Sequence, residues 1–284
     1  MRPRPSEWLL AGYAVVVIAT GWARADRYPA ATWAVVAHLL LLALLALFQS
    51  TRLGRAGRIL RDAAPFVLLL ALYGALDLLS GFGAEATHDP LIRQWERGLF
   101  GQEISREWWR RAPSPFWSSV LHAAYFAYYF VIPVPILLAM SRRDEPRLVF
   151  ASFALMATFV VCYLGFIFFP VAGPYYEYPR PAAWFTANLA AKAVYGVLAG
   201  GSSYGAAFPS SHVAATWVAA AVTWPISRRW GAGLMVAAAL LTVGVVYCQM
   251  HYGVDVVAGL AVAAAVVPAA RWASATSDRS APDS

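Results

Sequence analysis

Long apolar runs separated by short polar segments dominate the chain. Each run approaches or reaches the length of about 20 helical residues that crosses the hydrocarbon core of a bilayer. The runs cover residues 8–23, 31–49, 63–79, 116–140, 148–169, 212–224, 231–250 and 254–270. The pattern therefore predicts an all-α polytopic transmembrane bundle of about eight spans, of which the sixth is short.

Composition supports this fold class and excludes an ordinary soluble domain. Hydrophobic residues make up 60% of the 284 residues and charged residues only 13%, and the mean hydropathy is +0.56. These values lie outside the usual range of soluble proteins. The net charge of +7 comes mostly from arginines between the apolar runs, so membrane topology explains it better than nucleic-acid binding does.

The arginines also predict an orientation. With eight spans, both termini share one face with the arginine clusters at 52–61, 142–147 and 228–229. Positively charged loops usually stay in the cytoplasm, so we expect cytoplasmic termini in a bacterial-type plasma membrane. The first run is interpreted as an anchor because no clear small-residue cleavage site follows it.

Two polar motifs interrupt the apolar pattern in the second half of the chain, at residues 208–212 (FPSSH) and 251–255 (HYGVD). In the second motif, His251 and Asp255 are four residues apart, which places them on one face of a helix. The carboxylate can accept a hydrogen bond from one imidazole nitrogen and leave the other nitrogen free for chemistry. Such an imidazole is a candidate general base or nucleophile.

The first motif supplies a partner for that imidazole in His212. Pro209 and Ser210 are typical of a helix start, where the N–H groups of Ser210, Ser211 and His212 are expected to lack partners. Because the N-terminal end of a helix is positive, these groups predict a phosphate-binding site. Both motifs fall on the face opposite the arginine clusters, so the predicted active site is extracytoplasmic.

The paired motifs resemble those of the type 2 phosphatidic acid phosphatase superfamily. They look most like the inositol-phosphorylceramide synthase branch, an inositolphosphotransferase group in which Pro-Ser-Ser-His and His-Tyr-x-x-Asp are usual. The resemblance implies a six-helix core and phosphate transfer through a phosphohistidine, without metal or cofactor. It also implies that His251 is the nucleophile, that Asp255 orients it, and that His212 protonates the leaving oxygen.

The first and third family motifs are incomplete here. Arg180-Pro181 is present, but Gly173 occupies the position of the family's Lys, and Gly244-Val245 replace its Ser-Arg. These losses favour synthase-like transfer over an ordinary phosphatase, and they are also compatible with weakened activity. We expect the substrate-binding residues to be two replacement cations and three motif residues, namely Arg180, Lys192, Ser210, Ser211 and Tyr252.

The resemblance extends over residues 63–272, which we predict to be the catalytic membrane domain. Residues 1–62 would form an accessory transmembrane hairpin, and residues 273–284 a polar C-terminal tail without order. Within the domain, residues 82–114 interleave Leu91, Trp95 and Leu99 with arginines at roughly helical spacing. This predicts amphipathic helices on the membrane surface, serving either as a cap or as a lip that admits lipid.

Two further polar side chains lie within the apolar runs. Asp77 is a functional candidate because carboxylates near a membrane interior are costly, but its place at the end of a run equally suggests exposure at the interface. His122 is expected to be a hydrogen-bonded packing residue.

Three functions remain open from the sequence. The first is a lipid phosphotransferase that moves a phosphate-containing headgroup to a hydroxyl acceptor. The second is a lipid phosphate or polyprenyl diphosphate phosphatase. The third is a non-catalytic transporter or metal-binding protein that uses His212, His251 and Asp255 as ligands. The expected partners are a lipid substrate and the bilayer, without nucleic acid; the sequence does not indicate an oligomeric state.

Overall fold

A computed structural model describes residues 3–49, 54–83 and 86–279 of the chain. Over these residues the chain is helical, with no strand beyond a single isolated bridge between Val171 and Ala206. In chain order the helices are α1 Pro5–Arg24, α2 Ala31–Phe48, α3 Gly54–Leu79, α4 Asp89–Phe100, α5 Ile104–Arg111, α6 Pro115–Val131, α7 Val134–Ser141, α8 Glu145–Phe168, α9 Pro174–Glu177, α10 Ala183–Thr186, α11 Leu189–Gly201, α12 Ser211–Thr223, α13 Arg228–Tyr247 and α14 Gly253–Arg279.

The predicted polytopic helical bundle is confirmed. Five described helices are long and apolar enough to cross a membrane: α1, α2, α8, α13 and the Gly253–Ser274 part of α14. The pair formed by α6 and α7 makes a sixth candidate, bent by 42°. Pro133 and Pro135 stand at this break, and proline interrupts a helix because it lacks an N–H group.

Eight spans were expected, and two of the predicted runs are not among these six. The run 212–224 forms α12, which has only 13 residues. At 1.5 Å per residue it is about 20 Å long, short of the roughly 30 Å hydrocarbon core. The run 63–79 falls in α3, where several side chains lie outside the described residues.

The short helix α12 occupies the centre of the bundle. It packs against α6, α7, α8, α13 and α14. Four alanines with no exposed surface let these neighbours approach closely: Ala214, Ala215, Ala219 and Ala220. Small residues commonly serve this purpose between membrane helices. The first turn of α12, which carries His212, is thereby held among the surrounding helices.

The motif loops and the arginine-rich loops lie at opposite ends of the bundle. At the motif end, the guanidinium of Arg24 donates to the carbonyl oxygens of Leu79 and Ile167, at 3.2 and 2.9 Å. At the other end, Arg61 donates to the buried carboxylate of Glu7 at 2.7 Å, joining the starts of α1 and α3. The sequence also placed the motifs and the arginine clusters at opposite ends. Which end faces the cytoplasm stays a prediction.

Two predicted segments, the hairpin at residues 1–62 and the tail at residues 273–284, adjoin the predicted catalytic domain. Helices α1 and α2 belong to the same hydrophobic core as α8, so the hairpin packs directly on the rest of the bundle. The polar tail was expected to lack order from residue 273, but α14 continues to Arg279. Residues 280–284 of that prediction lie outside the described residues.

The contact between α14 and the start of α12 predicts a sensitive glycine. A Cβ added to Gly259 would lie 2.6 Å from the carbonyl oxygen of Ser210, whereas one added to Gly233 on α13 would meet nothing within 4 Å. We expect Gly259→Ala to destabilise the protein by about 1–3 kcal/mol through overpacking. Gly233→Ala, the control, should be neutral or stabilising because alanine favours helix. Thermal unfolding in detergent measures both, and equal melting temperatures would contradict the packing.

Candidate active site

Asp255, His251 and His212 form a row at the motif end of the bundle. The Nδ1 atom of His251 lies 3.3 Å from Oδ2 of Asp255. The Nε2 atom of His251 lies 3.4 Å from Nδ1 of His212. His251 is only 4% exposed and Asp255 is completely buried. The carboxylate therefore occupies one imidazole nitrogen, and the other nitrogen faces the second histidine.

The predicted contact between His251 and Asp255 is present, but a shared helix does not produce it. Helix α13 ends at Tyr247, and α14 begins only at Gly253, so His251 lies in the turn between them. Asp255 lies in the first turn of α14, where its Oδ2 also accepts the N–H of Tyr252 at 2.8 Å. A carboxylate that reaches back to the residue before its helix closes the turn as a capping residue does.

His212 stands in the first turn of α12 against two tyrosines of α6. The ring of Tyr125 stacks on the imidazole with centroids 4.8 Å apart, and the ring of Tyr128 lies at 4.4 Å. Aromatic packing of this kind fixes the orientation of the ring. The Nδ1 edge of His212 is thus directed at His251.

Ser210 is the N-terminal cap of α12, as the motif predicted. Its Oγ accepts the N–H of Val213 at 3.4 Å. Its own N–H was expected to be free for phosphate, and this expectation is wrong, because it donates to the carbonyl oxygen of Asp255 at 3.0 Å. That bond joins the two motifs. The N–H groups of Ser211 and His212 then remain as the backbone donors at this helix start that could bind phosphate.

An apolar cavity of about 500 Å³ opens onto this row of side chains. It lies between α3, α6, α8, the end of α11 and the start of α12. Ser211 and His212 contribute to its wall. The remaining lining is aliphatic or aromatic apart from small residues of α11 and Ser202, and it includes Leu69, Tyr73, Tyr128, Tyr129, Ile132, Phe159, Tyr163 and Val197. Among the described residues of the cavity wall, the only ionisable side chain other than the tyrosines is that of His212.

A family model described as the PAP2 superfamily matches residues 91–269, which is more than half of the chain and includes both motifs. The chain belongs to the PAP2 superfamily. Members of this superfamily are generally phosphatases or phosphotransferases, so the match supports an enzyme acting on membrane lipids. No curated protein and no solved structure matches the chain.

Among the described residues, neither cation expected to replace those of the PAP2 motifs forms a hydrogen bond or ion pair with the row. The guanidinium of Arg180 stacks on Tyr175 at 3.9 Å and lies 5.1 Å from the ring of Tyr195. Arg180 also lines an open cleft of about 380 Å³ together with Asp77. Lys192 is exposed on α11. Within the described residues, neither cation forms an ion pair with Asp255, so their contact with phosphate stays a prediction.

The other polar residues singled out in the sequence have structural partners. Tyr252 is completely buried and donates its hydroxyl to Asp89 at 2.9 Å, which favours a supporting role over direct substrate contact. Asp77 accepts a hydrogen bond from Ser203 Oγ at 3.2 Å. His122 is buried, with Nδ1 2.8 Å from the carbonyl oxygen of Ser118. In the described part of the chain, no three His, Cys, Asp or Glu side chains are grouped so that they could hold a metal ion.

Two buried carboxylates of α4 contact the site, and sequence reasoning missed both. Asp89 and Glu96 have no exposed surface. Glu96 accepts the N–H groups of Gly253 and Ser105 at 3.1 and 3.2 Å. The sequence did indicate that Asp89 and Glu96 lie on the same side of α4, because residues seven apart share one face of a helix. The apolar residues Leu91, Trp95 and Leu99, which were predicted to lie at the membrane surface, are exposed on the same helix.

Glu96 predicts a pH dependence of stability. Burial raises the pKa of its carboxyl from 4.5 to about 7, although hydrogen bonds from Gly253 and Ser105 oppose the shift. A folded-state pKa above the unfolded value means that this contribution to stability is lost as the pH rises through about 7. Glu96→Gln cannot ionise, so its melting temperature should fall less than that of the wild type between pH values of about 5.5 and about 8.5.

The matched control is Glu107→Gln, an acid-to-amide change at a partly exposed position of α5. It should keep the wild-type pH dependence of the melting temperature. An unchanged slope in Glu96→Gln would show that Glu96 does not titrate in this range.

Proposed function

We propose that this PAP2 protein is an integral membrane lipid phosphotransferase that works through a phosphohistidine on His251. It would transfer a phosphate-containing headgroup from a lipid donor to a hydroxyl acceptor. The observation that carries the proposal is the row Asp255, His251, His212, which meets an apolar cavity inside the bundle. The row supplies the chemistry for phosphoryl transfer, and the cavity supplies a place for a hydrocarbon chain.

The first step uses all three side chains of the row. Asp255 holds Nδ1 of His251, so the lone pair on Nε2 is the nucleophile. When the two imidazoles, whose facing nitrogens are 3.4 Å apart in the structure, separate to admit a phosphate group, Nε2 attacks the phosphorus and forms an N–P bond as the P–O bond to the leaving group breaks. His212 gives its proton to the departing oxygen, and Asp255 stabilises the positive charge that develops on His251.

The second step regenerates the enzyme. An acceptor hydroxyl attacks the phosphohistidine, His212 takes its proton, and the N–P bond to His251 breaks. A lipid or polyol hydroxyl makes the reaction a transfer, whereas water makes it a hydrolysis. Two observations favour transfer: Gly173 stands where PAP2 phosphatases carry a lysine, and the low exposure of His251 limits contact with bulk water.

The cavity supports a lipid as the donor. Its volume of about 500 Å³ falls within the range of about 300–1,000 Å³ that is usual for small-molecule sites. Its walls are mostly apolar, and it lies between helices of the bundle while remaining partly open. A hydrocarbon chain in this cavity brings the attached phosphate to Ser211 and His212.

The positive-inside rule supports a cytoplasmic location for the arginine-rich end. The active site would then lie at the extracytoplasmic face of a bacterial-type plasma membrane. Arg180 and Lys192 remain our candidates for the cations that bind phosphate in this orientation.

An assay of the purified protein with a panel of phosphate-labelled lipids tests the proposal. In the presence of EDTA, we expect a new phospholipid when ceramide is added as acceptor, and a new water-soluble phosphodiester when glycerol or inositol is added. His251→Ala should lower turnover by at least about 100-fold, because it removes the nucleophile. Free phosphate as the only product would indicate the phosphatase alternative, and full activity in His251→Ala would contradict the mechanism.

His212→Ala separates the acid from the nucleophile. With a lipid donor the variant should lose about 100–10,000-fold in rate, the usual contribution of general acid–base catalysis. With a donor whose leaving group needs no proton, such as a nitrophenyl ester, phosphoenzyme formation should be affected far less. Equal losses with both donors, measured by rapid quench, would contradict a proton-donor role.

The cavity predicts a dependence on chain length. Val197 lines it, while Val236 on α13 is 62% exposed and lies outside its lining. Val197→Phe narrows the cavity and should lower kcat/KM for long-chain lipids by about 10-fold, because losing the room for one methylene in an apolar pocket costs about 1–3 kcal/mol. The same change should leave kcat/KM for short-chain lipids unaffected. Val236→Phe should leave both unchanged. A uniform effect of Val197→Phe on all chain lengths would contradict chain binding here.

A further inference from the structure

We propose that Asp89, which lies outside the recognised motifs, is a positioning residue for the reaction. It joins the loop of residues 171–181, where the family's first motif falls, to the turn that carries His251. The inference rests on the proposed function for its kinetic consequence, but its structural content can be measured without turnover.

Three donors converge on the buried carboxylate of Asp89. Its Oδ2 accepts the N–H of Ala172 at 2.7 Å, and its Oδ1 accepts the N–H of Gly173 at 2.8 Å. The hydroxyl of Tyr252 donates to the same Oδ1 at 2.9 Å. Asp89 has no exposed surface, so these bonds replace the water that an ionised carboxylate loses on burial.

The arrangement requires a carboxylate in particular. Two oxygens that only accept can take three hydrogen bonds, whereas an asparagine would turn its NH₂ group towards at least one of the donors. Among the described residues, no Lys or Arg side chain forms an ion pair with Asp89. Its charge is therefore balanced by backbone N–H groups and one phenol, all of which belong to the site.

Asp89 is connected to the nucleophile through two short steps. Tyr252, which donates to Asp89, is the residue next to His251. The N–H of Tyr252 donates to Oδ2 of Asp255 at 2.8 Å, the same oxygen that lies 3.3 Å from His251 Nδ1. Glu96 adds a second contact from α4, through the N–H of Gly253. The turn from 251 to 255 is thus held by α4 at two points.

Asp89 also determines where the loop of residues 171–181 lies. Gly173 has φ +89°, and a Cβ there would lie 2.9 Å from Cβ of Ala207, so only glycine fits the close approach of this loop to the residue before the 208–212 motif. The loop continues from Gly173 to Arg180. At the position where the PAP2 motif has a lysine side chain, this chain therefore has a backbone contact to an acid, and that contact sets the loop against the His251 turn.

The kinetic test compares phosphoenzyme formation in full-length wild type, Asp89→Asn and Glu107→Gln, with a labelled phospholipid in detergent. Misplacing the nucleophile should lower the rate constant at saturating lipid by about 100-fold, the effect of a small displacement of reacting groups. The KM should change by less than about 3-fold, because the lipid cavity is separate. Glu107→Gln should match the wild type.

Tyr252→Phe removes one of the three donors and completes a double-mutant cycle. Alone it should lower the same rate constant by about 10-fold, and it should add little to Asp89→Asn, because the two residues act through one hydrogen bond. Additive losses would overturn the connection through Tyr252. A variant Asp89→Asn that folds in lower yield but keeps the wild-type rate constant per active site would show a purely structural role and overturn the proposal.

Hydrogen–deuterium exchange separates failure of this inference from failure of the proposed function. Asp89→Asn should speed exchange at residues 171–175 and 251–255 by about 10-fold or more, since at least one of the three stabilising bonds is lost and replaced by a donor facing a donor. It should leave residues 145–165 of α8 unchanged. No change at 251–255 would overturn the connection even if no lipid is turned over. Increased exchange with an inactive wild type would instead count against the proposed function.

Discussion

The two motifs of this protein depend on one residue, Asp255, which serves both of them at once. Its carboxylate accepts the N–H of Tyr252 and lies beside Nδ1 of His251, while its backbone oxygen accepts the N–H of Ser210. The start of α12 and the start of α14 are therefore joined at the point where the two histidines meet. Such buried polar contacts hold their geometry because leaving any member without a partner is costly in a low-dielectric interior.

The bundle is built so that this polar centre can exist within an apolar fold. Helix α12 is short and rich in alanine, which lets five neighbours surround it and seals the inner end of the site. On the outer side, α4 turns its acidic residues towards the turn and leaves Leu91, Trp95 and Leu99 exposed. A helix with this distribution suits the membrane interface. The apolar cavity lies on another side of the site, between α3, α6, α8, the end of α11 and the start of α12, where a hydrocarbon chain would lie beside His212.

The hydrophobic pattern predicted the long helices α1, α2, α8, α13 and α14, because each is long and apolar over most of its surface. It marked the run at 212–224 as short but still counted it as a span, and it did not show that Pro133 and Pro135 bend the span of α6 and α7. Motif spacing predicted the contact between His251 and Asp255, although a turn rather than a helix produces it. Asp89 and Glu96 were missed because an amphipathic pattern does not show which acids of a helix will meet backbone N–H groups; only the tertiary fold brings those donors to the two carboxylates.

The central claim is that His251 carries the phosphoryl group during turnover. The most direct measurement is to quench the enzyme in alkali during reaction with a labelled lipid and to locate the modified residue by mass spectrometry of its peptides. The account predicts an acid-labile, alkali-stable phosphoryl or phosphodiester adduct on His251, which disappears when an acceptor is added. An adduct on another residue, or turnover with no adduct under conditions that trap one in a known phosphohistidine enzyme, would contradict it.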